Sequence, residues 1–492
     1  MLFPVPSRLY LTKTACTFLK SMAPMSSKIP MSRPSLDHII QKNESQVLES
    51  KTQQFCKQYT SLPATEKLEI LKELAQKHDF DLESAKNAAE SFVSHKDKNI
   101  AVQLKAAERL KASLNPSYAQ IFSRIRKLEG GVKFLVDLRA DLMNMLPNSN
   151  INDDSTPHLK ALNNYLKDIL SFSFNVGFLK LERITWDSSC FMLEKISEYE
   201  AVHPVRNWTD IKHRVGPYRR CYVFIHSSMP REPIVVLHTA LTNEISSNIM
   251  SIVRQTKVQT ETDQKFTLPE TLEDPRKIQA AIFYSITSTQ KGLHGIELGN
   301  QLIKKVVREV QAEFPHIKQF STLSPIPSFR EWLLLELRKI KNDNSVILSY
   351  FTEREKKEME QIFNCDMHDV WFSLHQAIIS NRWISDEDLK ELLRIPLLKI
   401  CAHYLLKEKR RANVLNSVAH FHLRNGAVLW RLNWAGDTSP RGLDNSCGIM
   451  VNYRYYIDET EENSRNYVEN YHVAASDEVK DLLAPVFSKS SL

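Results

Sequence analysis

Three of the chain's 11 glycines fall at 292, 295 and 299. They stand between an apolar run at 280–287 and a segment that carries Leu298, Leu302, Val306 and Val310 at helical spacing. Glycine lets a backbone come close to a ligand. The first turn of a helix adds unpaired amide hydrogens and the positive end of a dipole, so strand, glycine loop and helix together suit a phosphate. The spacing is not GxGxxG, and no GxxxxGK motif occurs, so neither dinucleotide nor P-loop chemistry is indicated. A tight turn that packs helix against strand accounts for the same glycines.

Two further positions bear reactive groups. Asn425-Gly426 predicts a two-residue hairpin turn. That turn would place Phe421, Leu423, Val428, Trp430 and Leu432 on one strand face. His420, His422, Arg424, Arg431 and Asn433 would lie on the other, pointing away from the core. His422 there is either a structural histidine or an acid–base group. His420 beside it makes a His-x-His pair, but no third ligand accompanies it, and no metal is expected. Ser324 ends the strand-like run 320–324 and precedes Pro325, which restricts it to extended backbone; Ser-Pro is also a common turn. With no GxSxG elbow, an esterase triad is not indicated. Glu297 is the type of acid that favours a helix N-terminus. Tyr455 shares a strand face with Ile449, Val451 and Tyr453, where packing explains it. Lys304, Lys305 and Arg308 either reach a phosphate or form a solvated helix face.

The elements that must carry these residues follow from pattern. The chain has 492 residues, 42% hydrophobic and 25% charged, a globular balance with room for two to four domains. No apolar run approaches the roughly 18 residues of a membrane span. The net charge is +7, and Arg8, Lys13, Lys20, Lys28 and Arg33 supply five of those charges within an acid-free segment, 1–36. The remainder is no footprint for nucleic acid. The segment has transit-peptide composition and predicts a mitochondrial address. The final Ser490-Ser491-Leu492 is an imperfect peroxisomal tripeptide within a tail at 486–492, so peroxisomal or cytoplasmic pools are the alternatives. Seven scattered cysteines without a CxxC pair fit a reduced compartment. Residues 37–186 predict a helical bundle suited to oligomer contacts. Residues 187–485 predict strands at 220–225, 234–239, 280–287 and 320–324, with a helical excursion over 329–410 and strands at 418–423, 427–434 and 448–456. The fold class is α+β, an all-helical N-terminal domain followed by a mixed domain with a helical insertion.

The order strand, Gln290-x-Gly292-x-x-Gly295, helix, strand resembles the acyl-CoA-binding segment of the GNAT acyltransferase superfamily. Phe283-Tyr-Ser-Ile-Thr287, Phe314-Pro-His316, Leu323-Ser-Pro-Ile-Pro327, residues 421–430 and Asn452-Tyr-Arg-Tyr455 resemble the malonyl-CoA decarboxylase family more closely, over nearly the whole chain. This resemblance implies a GNAT-like catalytic domain and a homo-oligomeric, cofactor-free carboxy-lyase that converts malonyl-CoA to acetyl-CoA and CO2. It implies Ser324 and His422 as the catalytic pair, functional roles for Glu297 and Tyr455, and a CoA phosphate loop of Gln290, Gly292, Leu293, His294, Gly295, Ile296 and Gly299. Ser324 would act either as a nucleophile with His422 as base, or with His422 to orient the carboxylate and protonate the carbanion; the second is the expectation adopted. An amine acyltransferase using acetyl-CoA is the competing reading.

Overall fold

The computed structural model describes residues 46–146, 154–200, 202–253, 273–296, 298–340 and 345–483. The predicted address at 1–36, Glu297, most of the polar stretch 255–277 and the C-terminal tail at 486–492 lie outside the described residues. The chain divides into two compact units, 1–128 and 129–492.

The first unit holds helices α1 (Gln46–Ser61), α2 (Ala64–Lys77), α3 (Leu82–Ser94), α4 (Ile100–Ser113) and α5 (Tyr118–Lys127). Asp81 and Asn99 start α3 and α4 by accepting the amide hydrogens of Glu83 and Val102, which satisfies otherwise orphaned donors. Ile70, Leu71 and Leu74 on α2 and Tyr118, Ile121, Phe122 and Ile125 on α5 are buried at the spacing of one helix face.

The second unit opens with α6 (Gly131–Met145) and α7 (Ser155–Ser173), and then turns to a sheet. Strand β1 (Leu179–Ile184) precedes α8 (Cys190–Tyr199) and α9 (Trp208–Val215), which lead to β2 (Arg219–His226), β3 (Val235–Thr242) and β4 (Ala280–Ser288). Helix α10 (Gly299–Glu313) crosses to β5 (Gln319–Thr322) and β6 (Ser324–Pro325). The insertion is α11 (Phe329–Lys339), α12 (Glu353–Phe363), α13 (Met367–Ile379) and α14 (Glu387–Leu406). After α15 (Ser417–Arg424) come β7 (Val428–Asn433), β8 (Met450–Tyr455) and α16 (Thr460–Asn470). Among the described residues the sheet runs β1-β2-β3-β4-β5-β8-β6, with β7 on β8. The β4–β5 pair is parallel, Ala280 against Gln319, and the other pairs are antiparallel. The class is α+β, and β4 and β5 join one sheet through a helical crossover as their sequence predicts. Leu302, Val306 and Val310 of α10 are buried.

Two expectations are corrected. The all-helical stretch does not reach 186: it ends at Ser173, and β1 pairs with β2 over Leu179–Ile184. Helices α6 and α7 belong with the sheet unit, since the division falls after Leu128. The predicted strand at 418–423 is helix α15. Asn416 caps it by accepting the Ala419 amide. Ala419, His422 and Leu423 are its buried positions, at i, i+3 and i+4. Asn425-Gly426 closes this helix instead of a hairpin. Gly426 has φ +78°, its amide donates to Leu423 O, and the Ala427 amide donates to His422 O, the pair of bonds that defines a Schellman cap. A Cβ on Gly426 would stand 1.8 Å from Thr460 O, so the site demands glycine for space as well.

Candidate active site

Ser324 sits in β6, extended as the following proline requires, and pairs with Val451 of β8. Directly paired residues of an antiparallel ladder share a face. Ser324 and Thr322 therefore lie on the same side as Val451, Tyr453 and Tyr455. Helix α15 presents His422 to this face. Ser324 Oγ lies 3.3 Å from His422 Nε2, and His422 Nδ1 lies 2.8 Å from the Tyr455 hydroxyl. The Tyr453 ring stacks on the imidazole with centroids 4.6 Å apart. Ser324, His422 and Tyr455 are 5%, 3% and 3% exposed, so the hairpin-based expectation that His422 points away from the core is overturned. His420 is bonded through Nδ1 to Tyr467 at 2.8 Å and does not join His422, because positions i and i+2 of a helix diverge.

The hydrogen bonds have a direction. The imidazole is the Tyr455 hydroxyl's partner. Ser324 gives its one hydrogen to Thr322 Oγ1, so toward the imidazole Ser324 Oγ can only accept. Tyr455 therefore donates to Nδ1, and Nε2 carries the imidazole hydrogen toward Ser324. Burial pushes the Tyr455 phenol well above its usual range, so it keeps its proton. Burial also lowers the His422 pKa to about 3, which makes the imidazole neutral at physiological pH. The cluster of Ser324, Thr322, His422, Tyr453 and Tyr455 thus carries no formal charge.

This sets a pH expectation. His422 remains neutral across about pH 5–8, where an unperturbed histidine titrates. At saturating substrate, kcat should show no inflection near 6.5; a fall centred there would contradict the assignment. The stability effect has the opposite visibility. A histidine whose folded pKa lies below its unfolded value costs nothing above about 6.5. It destabilises as pH falls toward the folded values, about 3 for His422 and about 4 for buried His238. Each contributes up to ~1.4 kcal/mol per pH unit in that window. Denaturant midpoints measured from pH 7.5 to 5 should decline.

The glycine loop leaves β4 at Ser288 and is pinned at its start by Gln290, whose Nε2 donates to Pro233 O at 3.2 Å. A short turn at Lys291–Leu293 follows. At Gly292 the missing side chain makes room for α6 and not for a ligand: a Cβ would stand 1.8 Å from Val136 O. Arg139 of α6, 2% exposed, donates to Gly292 O at 2.5 Å and to His294 O at 3.1 Å. Leu293 and Ile296 spend their amides inside the loop, on Gln290 O and Leu293 O, as does His294 on Lys291 O. The Gly295 amide has no partner among the described residues. Gly295 has φ +80°, and the Lys167 ammonium of α7 lies 3.9 Å from where its Cβ would be. Helix α10 begins at Gly299, directly after this loop in the chain. Of the candidate phosphate cations farther along α10, Lys305 is engaged with Leu179 O and with the Phe224 ring, Lys304 pairs with Glu461 at 3.6 Å, and Arg308 is exposed.

The sequence reading missed Thr322, Tyr453's stacking role, Arg139 and Lys167. Strand period two, counted back from Ser324 and Tyr455, marks the first two. Arg139 and Lys167 lie more than 120 residues before the loop, with no local signal.

A mixed sheet whose strand-end serine meets a buried, uncharged histidine has the parts of an enzyme of acid–base type. The model of the malonyl-CoA decarboxylase C-terminal domain matches residues 177–491, and that of the malonyl-CoA decarboxylase N-terminal domain matches 78–174. The chain belongs to the malonyl-CoA decarboxylase family. It is 46% identical over 433 residues to the mitochondrial malonyl-CoA decarboxylase of Rattus norvegicus, covering 87% of this chain and 84% of that one. It is 46% identical over 392 residues to that of Anser anser anser, covering 79% and 74%. The crystal structure of malonyl-CoA decarboxylase from Rhodopseudomonas palustris superposes with a TM-score of 0.75 at 29% identity, covering 90% of this chain and 97% of that one. That from Agrobacterium vitis gives 0.74 at 26%, covering 91% and 98%.

Proposed function

We propose that the chain decarboxylates malonyl-CoA to acetyl-CoA and CO2 at the Ser324–His422 pair. The observation that carries this reading is the buried, uncharged line Tyr455–His422–Ser324. Loss of CO2 leaves an electron pair at the α-carbon, and the thioester carbonyl delocalises it, so the chemistry needs no resident cofactor. The protein has three tasks: orienting the carboxylate, stabilising the enolate oxygen, and delivering a proton. Ser324 and His422 Nε2–H are the donors for the first two. When the C–CO2 bond breaks, its electrons form the enolate. The Nε2 proton then passes to the α-carbon while Nδ1 takes the Tyr455 proton, so the negative charge comes to rest on the Tyr455 oxygen; solvent reprotonates it, and one proton is consumed per turnover. The uncharged cluster of Ser324, Thr322, His422, Tyr453 and Tyr455 does not hold the carboxylate against its loss.

The loop at 290–299 would take the CoA diphosphate, supported by the Gly295 amide, which has no partner among the described residues, the Lys167 ammonium and the helix N-terminus. The resemblance implies a functional role for Glu297, and repulsion between its carboxylate and a diphosphate favours that role at the acyl end. Self-association through the helical region is supported by exposed Leu82, Val93, Ile100 and Leu104 on α3 and α4, an apolar set of the kind that subunit interfaces cover.

Purified chain incubated with malonyl-CoA alone should yield acetyl-CoA and CO2 in equal amounts; product that appears only with an added amine would overturn the reading. The mitochondrial address is supported by the names of the relatives and by the acid-free composition of 1–36. Fluorescent fusions starting at Met1 should reach mitochondria and those starting at Met31 should not. Identical distributions would contradict it.

A further inference from the structure

Ser324 has a second neighbour that the acid–base pair does not account for. Its hydroxyl donates to Thr322 Oγ1 at 2.9 Å, and the same oxygen accepts the Tyr453 amide hydrogen at 3.1 Å. Thr322 is 0% exposed. A hydroxyl has one hydrogen and two lone pairs. The Tyr453 amide fixes one lone pair, because it belongs to the sheet backbone and cannot rotate. That leaves Thr322 with one lone pair and one rotatable hydrogen for Ser324. On the other side, His422 Nε2 bears a hydrogen, since Nδ1 accepts from Tyr455, and so offers Ser324 no lone pair. In the resting site the serine hydrogen thus goes to Thr322 at 2.9 Å and not to the histidine at 3.3 Å.

We propose that Thr322 is a positioning residue that keeps Ser324 a hydrogen-bond donor and not a nucleophile. In the resting site Thr322 Oγ1 takes the Ser324 hydrogen. When Ser324 turns its hydrogen to a bound carboxylate or enolate oxygen, Thr322 rotates and gives its own hydrogen to Ser324 Oγ. That exchange keeps Ser324 Oγ paired on both sides and polarises its O–H bond toward the substrate. No bond to carbon is made, and no alkoxide forms. This inference rests on the assignment of Ser324 and His422 as the reacting pair.

Thr322→Val keeps the shape and removes the exchange. It should lower kcat about tenfold or more, a share of what acid–base help is worth, and leave KM for malonyl-CoA within about twofold, since a donor used in the chemical step affects turnover and not uniform binding. Thr322→Ser restores the hydroxyl and should recover most of kcat. Histidine 15N spectra should show His422 protonated at Nε2 in the wild type and a mixture of tautomers in Thr322→Val, where the serine hydrogen has only the imidazole to turn to; the His422 signal is assigned by its loss in His422→Asn. A Thr322→Val enzyme with wild-type kcat, or a wild-type His422 protonated at Nδ1, overturns the proposal. If Thr322→Val does not fold, Thr322→Ala and the wild-type spectrum decide it. A wild-type chain that makes no acetyl-CoA from malonyl-CoA would instead remove the underlying assignment, so the two failures are distinct.

Discussion

Ser324→Ala and His422→Asn are each expected to lower kcat for malonyl-CoA about 10²–10⁴-fold, the worth of positioned acid–base groups. Both should keep the fold. Each deletion strands one buried partner, the imidazole hydrogen in the first case and the Tyr455 hydroxyl in the second, at roughly 1–3 kcal/mol. That is a tolerable fraction of a stability typically near 5–15 kcal/mol. KM should change little, because the diphosphate contacts assigned to the glycine loop do not involve either side chain. Steady-state kinetics beside thermal melts would separate the effects. Activity within a few-fold of wild type in both variants would remove the pair from the mechanism.

The second large effect concerns the glycine loop, where two glycines serve different ends. Gly295→Val puts a β-branched residue at φ +80°, a conformation costing roughly 1–2 kcal/mol without glycine. It also places a side chain between the loop amide and Lys167. Malonyl-CoA and free CoA should both bind tenfold or more weakly, since the diphosphate is common to them, while kcat at saturation falls less. Gly292→Ala should act on stability instead. Its methyl would overlap the Val136 carbonyl, so α6 must move, and overpacking of this kind typically costs about 1–3 kcal/mol. Calorimetry with free CoA on folded protein discriminates them. Wild-type affinity in Gly295→Val would make the loop purely structural.

Periodicity and punctuation exposed much of the fold. The unbroken apolar run of β4, the i, i+4 ladder of α10 and the Pro325 stop are local signals, and they place the glycine loop and Ser324 correctly. The helical insertion over 329–406 is equally plain in composition. Helix α15 was hidden because Asn-Gly encodes a left-handed residue, and a left-handed residue closes a hairpin or caps a helix with equal ease. The Asn416 cap and the buried set Ala419, His422 and Leu423 decide between them, and their period competes with an alternation that also fits eight residues. The misread strand cost His422 its orientation, though not its candidacy, which came from the family resemblance. The space that Gly292 leaves was illegible for another reason. Gly292 is explained by a helix more than 140 residues upstream, and no pattern near the loop reports a contact with Val136 or a clamp by Arg139. Long-range backbone approach of this kind leaves a glycine in the sequence without saying what approaches it.

In the proposed mechanism CO2 is lost directly at Ser324 and His422, with no acyl group ever held by the protein. Intact-protein mass measured on samples quenched within the first turnover of malonyl-CoA tests this most directly. The chain should keep its unmodified mass while acetyl-CoA accumulates. A transient malonyl or acetyl adduct, mapped to Ser324 and formed as fast as turnover, would contradict it and make Ser324 the nucleophile.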